Sequence, residues 1–100
     1  SVVADINKRK SKKLYKAIDD SDFYLNLINT KNRSWMNIPF SLADDQLEKT
    51  FLLEAELEGI ENLRGHRSVG GMRASIYNAI SEKAVDDLIS FMKYFEKHNG

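Results

Sequence analysis

The order of periodic segments in this chain predicts an α+β fold: a two-layer α/β sandwich with helices on one face of a small, mostly antiparallel or mixed sheet of about four strands. Three observations lead there. Apolar residues recur at helical intervals near the start, in the middle and at the end of the chain. Between these stretches lie short segments rich in strand formers, whose side chains alternate. Punctuation is sparse, with one proline and five glycines in 100 residues. There is no internal repeat, low-complexity tract or convincing linker, so residues 1–100 read as one domain.

From about Val3 to Ile18 no proline or glycine intervenes. Val3, Ile6, Leu14, Ala17 and Ile18 share roughly one helical face, interrupted at Lys10. Asp19-Asp20-Ser21-Asp22 supplies turn chemistry, and Phe23 to Ile28 reads as a first strand. Asn29-Thr30-Lys31-Asn32 reads as a hairpin loop leading into Ser34 to Phe40. There Met36, Ile38 and Phe40 alternate with Trp35, Asn37 and Pro39. Pro39 has no N–H to donate, which implies an edge or a bulge.

Asp45 and Glu48 have capping-box spacing, and Leu47, Phe51, Leu52 and Ala55 follow at helical intervals. Gly59 followed by apolar Ile60 suits a left-handed helix end. A third strand is expected at about Asn62 to His66, a loop over Arg67 to Gly71, and a fourth strand over Met72 to Tyr77. Ser81 can cap a last helix carrying Val85, Leu88, Ile89, Met92 and Phe95, the clearest amphipathic stripe in the chain.

Fifteen basic and fifteen acidic residues cancel, so net charge supports neither nucleic-acid nor acidic-membrane binding. The cluster Lys8-Arg9-Lys10-Ser11-Lys12-Lys13 is expected to be a solvated helical face. With no cysteine and two histidines there is little for a transition-metal site or a disulfide, and a reducing, cytoplasmic setting is the default. His98 suits the C-terminal end of the last helix as a cation facing the helix dipole. No apolar stretch approaches the roughly 20 residues that span a bilayer.

Chemistry concentrates in the run from Gly65 to Asn78. Along the expected fourth strand, Arg73, Ser75 and Tyr77 share one face, and Met72, Ala74 and Ile76 the other. Arg73 is thereby presented on a rigid element, and its planar fork suits a carboxylate through two parallel charge-assisted hydrogen bonds. His66 and Arg67 suit a second anion such as a phosphate, and Gly70-Gly71 suits a shaped turn that aims Arg73. Arg67 and Arg73 are up to about 20 Å apart if the chain is extended. One small ligand touches both only if the loop folds back or the two belong to different subunits.

The order Gly-His-Arg-Ser-Val-Gly-Gly-Met-Arg-Ala-Ser-Ile-Tyr-Asn-Ala from Gly65 to Ala79 closely resembles the C-terminal domain of the phosphoserine aminotransferase family. So do Asp20-Ser21-Asp22-Phe23-Tyr24, Asn32-Arg33-Ser34, Met36-Asn37-Ile38-Pro39-Phe40, Leu42-Ala43-Asp44 and Phe91-Met92-Lys93, in the family's order. These are fold-type-I, class-V, pyridoxal-phosphate-dependent enzymes. The resemblance implies an aminotransferase small domain whose Arg73 binds the substrate α-carboxylate. His66 and Arg67 would receive the substrate phosphate from across a homodimer. It implies that no catalytic, cofactor-binding or metal-binding residue lies in this stretch. Pyridoxal phosphate and its lysine would belong to a large domain upstream, so that this piece alone is inactive and binds no cofactor.

The implied reaction moves an amino group from glutamate to 3-phosphohydroxypyruvate, giving phosphoserine, with a related role in pyridoxine synthesis. The implied partners are the large domain of the same chain and a second subunit, with no nucleic acid and no membrane. Trp35 departs from the basic residue that the family often carries there. A different class of reading is a stand-alone, non-catalytic module for a phosphorylated or dicarboxylic metabolite, which predicts micromolar binding of phosphoserine by this piece alone. A nucleic-acid-binding helix predicts strongly salt-dependent binding instead.

Overall fold

The computed structural model describes residues 2–26, 28, 30–33, 37–60, 63, 71–75 and 80–100, without the side chains of Val3 and Thr30. Among the described residues, three α-helices cover one face of a small antiparallel sheet.

The first helix, α1 (Val2–Asp19), buries Leu14 and Ile18. The break in its apolar stripe is a buried polar patch of Asn7, Lys10 and Ser11. The expectation of a solvated basic face therefore fails at Lys10, which is 2% exposed. Its ammonium donates to the Ile80 carbonyl at 2.5 Å, the kind of partner a buried charge requires.

Strand β1 is only Tyr24–Leu25, shorter than the expected Phe23 to Ile28. Asn26 ends it. Its Oδ1 accepts from the Ile28 N–H at 3.2 Å, a local side-chain turn that competes with the ladder. Strand β2 (Asn37–Leu42) runs two residues beyond its expected end, because Ser41 and Leu42 pair antiparallel with Leu25 and Tyr24. Ile38, Phe40 and Leu42 are buried, as the alternation predicts, while Trp35 and Met36 lie outside the described residues.

A 3-10 turn, Asp45–Leu47, precedes helix α2 (Glu48–Leu57). The expected capping box does not form. Asp44 caps the turn instead, accepting from the Gln46 N–H at 3.1 Å, and Glu48 Oε2 accepts from the Leu42 N–H at 3.2 Å. At the other end, Gly59 has φ +81°. Gly59 N–H reaches the Glu56 carbonyl (3.0 Å) and Ile60 N–H the Ala55 carbonyl (2.8 Å), a Schellman end whose Ile60 packs on the core.

Gly71 (φ +72°) leads into strand β3 (Met72–Ser75), and a Cβ there would stand 3.1 Å from the Phe40 carbonyl oxygen. Strand β3 pairs antiparallel with β2, Asn37 opposite Ser75 and Pro39 opposite Arg73, giving the order β1-β2-β3. Pro39 thus sits in the central strand rather than at an edge. The Arg73 N–H turns away from it to the Leu63 carbonyl at 2.6 Å, so Pro39 and Arg73 exchange no ladder bonds. The Pro39 nitrogen therefore faces the β1 side, past the two residues of β1 that pair, where no donor is needed. On that side the Asn26 Nδ2 donates to the Pro39 carbonyl at 2.6 Å. The expected third strand, Asn62 to His66, lies outside the described residues except for buried Leu63, as do Ile76 and Tyr77 of the fourth.

Helix α3 (Glu82–Asn99) is capped by Ser81, whose Oγ accepts from the Ala84 N–H at 3.0 Å. It buries Val85, Leu88, Met92 and Phe95 as expected, with Phe91 joining them and Ile89 half-buried. His98 lies in its last turn, with Nδ1 2.8 Å from the Tyr94 carbonyl oxygen.

Phe51 is the centre of the core. Its ring lies 5.1 Å from those of Phe91 and Phe95, 5.9 Å from Tyr24 and 6.0 Å from Phe40. The Tyr24 hydroxyl donates to the Met92 carbonyl at 2.6 Å, joining sheet to helix, and burial pushes its pKa far above the usual phenol range. Every strand contributes buried side chains to this one core. The other face of the sheet carries Leu25, Asn37, Pro39, Ser41, Arg73 and Ser75, none of them buried.

Candidate anion-binding face

Strand alternation sends Met72 and Ala74 into the core and Arg73 and Ser75 to the open face, the burial pattern that the sequence predicts. The strand is fixed on both sides, by the ladder to β2 and by the Leu63 carbonyl on the Arg73 N–H. Arg73 therefore extends from a backbone with little freedom to move. Directly opposite is Pro39, which offers neither an acceptor side chain nor a charge. Asn37 and Ser75 form the neighbouring cross-strand pair, and the Ser75 hydroxyl donates to Asn37 Oδ1 at 3.1 Å.

The other two described arginines, Arg9 and Arg33, are neutralised within the fold. Arg9 Nη2 meets Glu82 Oε1 at 2.6 Å, and Lys13 joins the same carboxylate while also reaching Asp86 at 3.2 Å. Hydrogen bonds from these two cations pull the Glu82 pKa down to about 2. Arg33 makes a bidentate pair with Asp19 at 2.7 and 2.8 Å and lies over the Tyr15 ring, 4.5 Å from its centroid. That pair lowers the Asp19 pKa. Arg73 differs: among the described residues its guanidinium has no hydrogen-bond or ion-pair partner. A fixed, exposed guanidinium on a face whose other described residues are uncharged has the chemistry to take a carboxylate or a phosphate.

His66 and Arg67, the residues expected to take a phosphate, lie outside the described residues, as does Gly70. The structure brings Asn37 to the same face as Arg73, a neighbour that the sequence reading missed. Its alternation with Ile38 was visible, but only the strand register reveals Ser75 as its partner. A groove of about 750 Å³ between the end of α2, β3 and α3 is lined by Ile60, Leu63, Ala74, Leu88 and Phe91 among others. No cation stands among its described lining residues, so it does not share the chemistry of Arg73. Among the described residues no helix is long and apolar enough to cross a membrane, and no cluster of three or more His, Cys, Asp or Glu stands ready for a metal.

The family model for class-V aminotransferases matches residues 1–88. The chain belongs to the class-V aminotransferase family. This aminotransferase chain is 62% identical over 95 residues to the phosphoserine aminotransferase of Hahella chejuensis, covering 95% of this chain and 26% of that protein. Its fold matches the phosphoserine aminotransferase structure from Bacillus circulans subsp. alkalophilus with a TM-score of 0.91 at 46% identity, over 94% of this chain and 26% of that one. The pyridoxal-phosphate-bound phosphoserine aminotransferase from Trichomonas vaginalis matches with a TM-score of 0.81 at 41% identity, over 87% of this chain and 26% of that one. The chain therefore spans about a quarter of the length of the relatives it matches.

Proposed function

We propose that this chain is the C-terminal, substrate-binding small domain of a cytoplasmic, homodimeric phosphoserine aminotransferase. In that enzyme glutamate gives its amino group to 3-phosphohydroxypyruvate, and Arg73 holds the substrate α-carboxylate in both half-reactions. The observation that carries this reading is the unneutralised guanidinium of Arg73 on a rigid strand, in a chain 62% identical to a phosphoserine aminotransferase. His66 and Arg67 are assigned the substrate phosphate across the dimer, on their match to the family's Gly-His-Arg sequence. The domain's contribution is orientation: holding the anions of a substrate restricts how its reacting carbon meets the cofactor.

Pyridoxal phosphate supplies the electron sink of such a transfer, and its seat is assigned to the remainder of the enzyme. The amines of this chain do not fit as its anchor. Lys10, the one buried lysine, is held by the Ile80 carbonyl, and the other lysines lie at the surface.

Arg73→Lys in the full-length enzyme keeps the charge but loses the fork. One charge-assisted hydrogen bond lost predicts a kcat/KM for glutamate that is lower by roughly 10- to 100-fold. Steady-state kinetics with an unchanged melting temperature would support the assignment, and unchanged kcat/KM would remove it.

A further inference from the structure

A carboxylate held by Arg73 has room for a further donor. Its two oxygens offer about four lone-pair sites, of which a bidentate guanidinium takes about two. By strand register, the neighbours of Arg73 on the open sheet face are Gly71 and Ser75 along β3, Pro39 opposite, and Asn37 and Ser41 on the diagonals. Gly71 and Pro39 have no side chain that donates. The Ser75 proton is committed to Asn37 Oδ1 at 3.1 Å, and Asn37 is engaged in that pair. Ser41 differs. Among the described residues its hydroxyl has no hydrogen-bond partner, and it is not sealed from solvent.

The surroundings of Ser41 leave it accessible from the Arg73 side. Towards β1 it pairs with Leu25, whose side chain is apolar. Towards β3 it stands just past the Phe40–Met72 pair, beside Gly71, where a Cβ would come within 3.7 Å of the Ser41 Cβ. Glycine there leaves a notch that any other side chain would begin to fill. Diagonal neighbours in a ladder are about 7–8 Å apart at the backbone, a span that a long side chain carrying a carboxylate can bridge.

On the reading of Arg73 as the carboxylate receptor, we propose that Ser41 is a further substrate-binding residue, its hydroxyl donating to the same carboxylate across the notch at Gly71. The carboxylate keeps its charge throughout amino transfer, so such a bond strengthens binding of substrate and transition state alike. It acts on KM rather than on kcat.

The test uses the full-length holoenzyme with glutamate as the varied substrate. Ser41→Ala is expected to raise KM about tenfold, the low end for a hydrogen bond to a charged group, with kcat and melting temperature unchanged. Ser41→Thr keeps the hydroxyl and is expected to stay near the parental KM. An unchanged KM in Ser41→Ala overturns the proposal, and so does a Ser41→Thr variant as impaired as Ser41→Ala. A fall in kcat or melting temperature without a rise in KM marks a structural role and overturns it too. Arg73→Lys separates the two readings. A raised KM in that variant with a flat Ser41 series sinks only the role of Ser41, whereas a parental KM sinks the carboxylate assignment and the role of Ser41 together.

Discussion

The flank where α1 meets the start of α3 and the open face of the sheet use the same side chain in opposite ways. On the flank, Arg9 and Lys13 converge on Glu82, Lys13 also meets Asp86, and Lys10 holds the Ile80 carbonyl. Three cations of α1 thus hold the first turns of α3 and the residue Ile80 just before it. On the sheet face, Arg73 stands among Pro39, Asn37, Ser41 and Ser75 with no partner among the described residues. A paired arginine holds elements together, and an unpaired one fixed by its backbone is available to a ligand. Charge counting cannot separate the two, because both regions contribute to the same zero net charge.

Breaking the frame common to both regions has the largest expected effect. Phe51→Ala empties the centre of the aromatic core from which sheet and helices alike are held, and should cost about 3–5 kcal/mol of stability by denaturant unfolding. Disruption of both regions together follows, so substrate affinity and clasp integrity should fall in parallel.

Lys10→Met sharpens the contrast, since it keeps the bulk of the buried stem and removes only the donor. Leaving the Ile80 carbonyl without that donor predicts a loss of about 1–3 kcal/mol in the same measurement. On the proposed role of Arg73, the KM for glutamate of the full-length enzyme should change far less than in Arg73→Lys. Equal effects of the two variants on KM would erase the distinction between a clasp and a receptor.

The smallest effect is expected from Glu82→Gln, because exposed ion pairs are screened by water and salt. Its signature is in pH dependence. The folded Glu82 pKa is about 2, below its ordinary value of 4.5. The stabilisation is therefore complete above about 4.5 and is lost as pH falls from there through about 2. Glu82→Gln should flatten that acid limb of the melting curve while leaving stability near neutrality almost unchanged. A full acid limb in the variant would assign it to other carboxylates, of which Asp19 beside Arg33 is the first candidate.

Much of this arrangement was legible in the chain because helix and strand periods are local properties. The α3 stripe, its Ser81 cap, the glycine end of α2 and the alternation that exposes Arg73 each need only a few consecutive residues. The failures share a cause. The capping box expected between Asp45 and Glu48 was displaced when Glu48 turned to the Leu42 N–H. The edge or bulge expected at Pro39 is instead a place in the middle strand of the described sheet, tolerated because β1 stops two residues into its ladder. Lys10 looked like one more solvated lysine, and its burial depends on a carbonyl some 70 positions away.

The α+β order, the family resemblance and the presentation of Arg73 on one face of a strand are all written in local patterns of the chain. Periodicity and a long run of matching residues carry that information without any knowledge of what packs where. Which of the described cations are neutralised, that Ser75 meets Asn37 across the ladder, and that Pro39 is the residue opposite Arg73 emerge from packing alone. Those outcomes depend on register and on helix-to-helix distance. A one-residue slip in β2 would exchange every neighbour on the open face while leaving the local pattern of β3 intact.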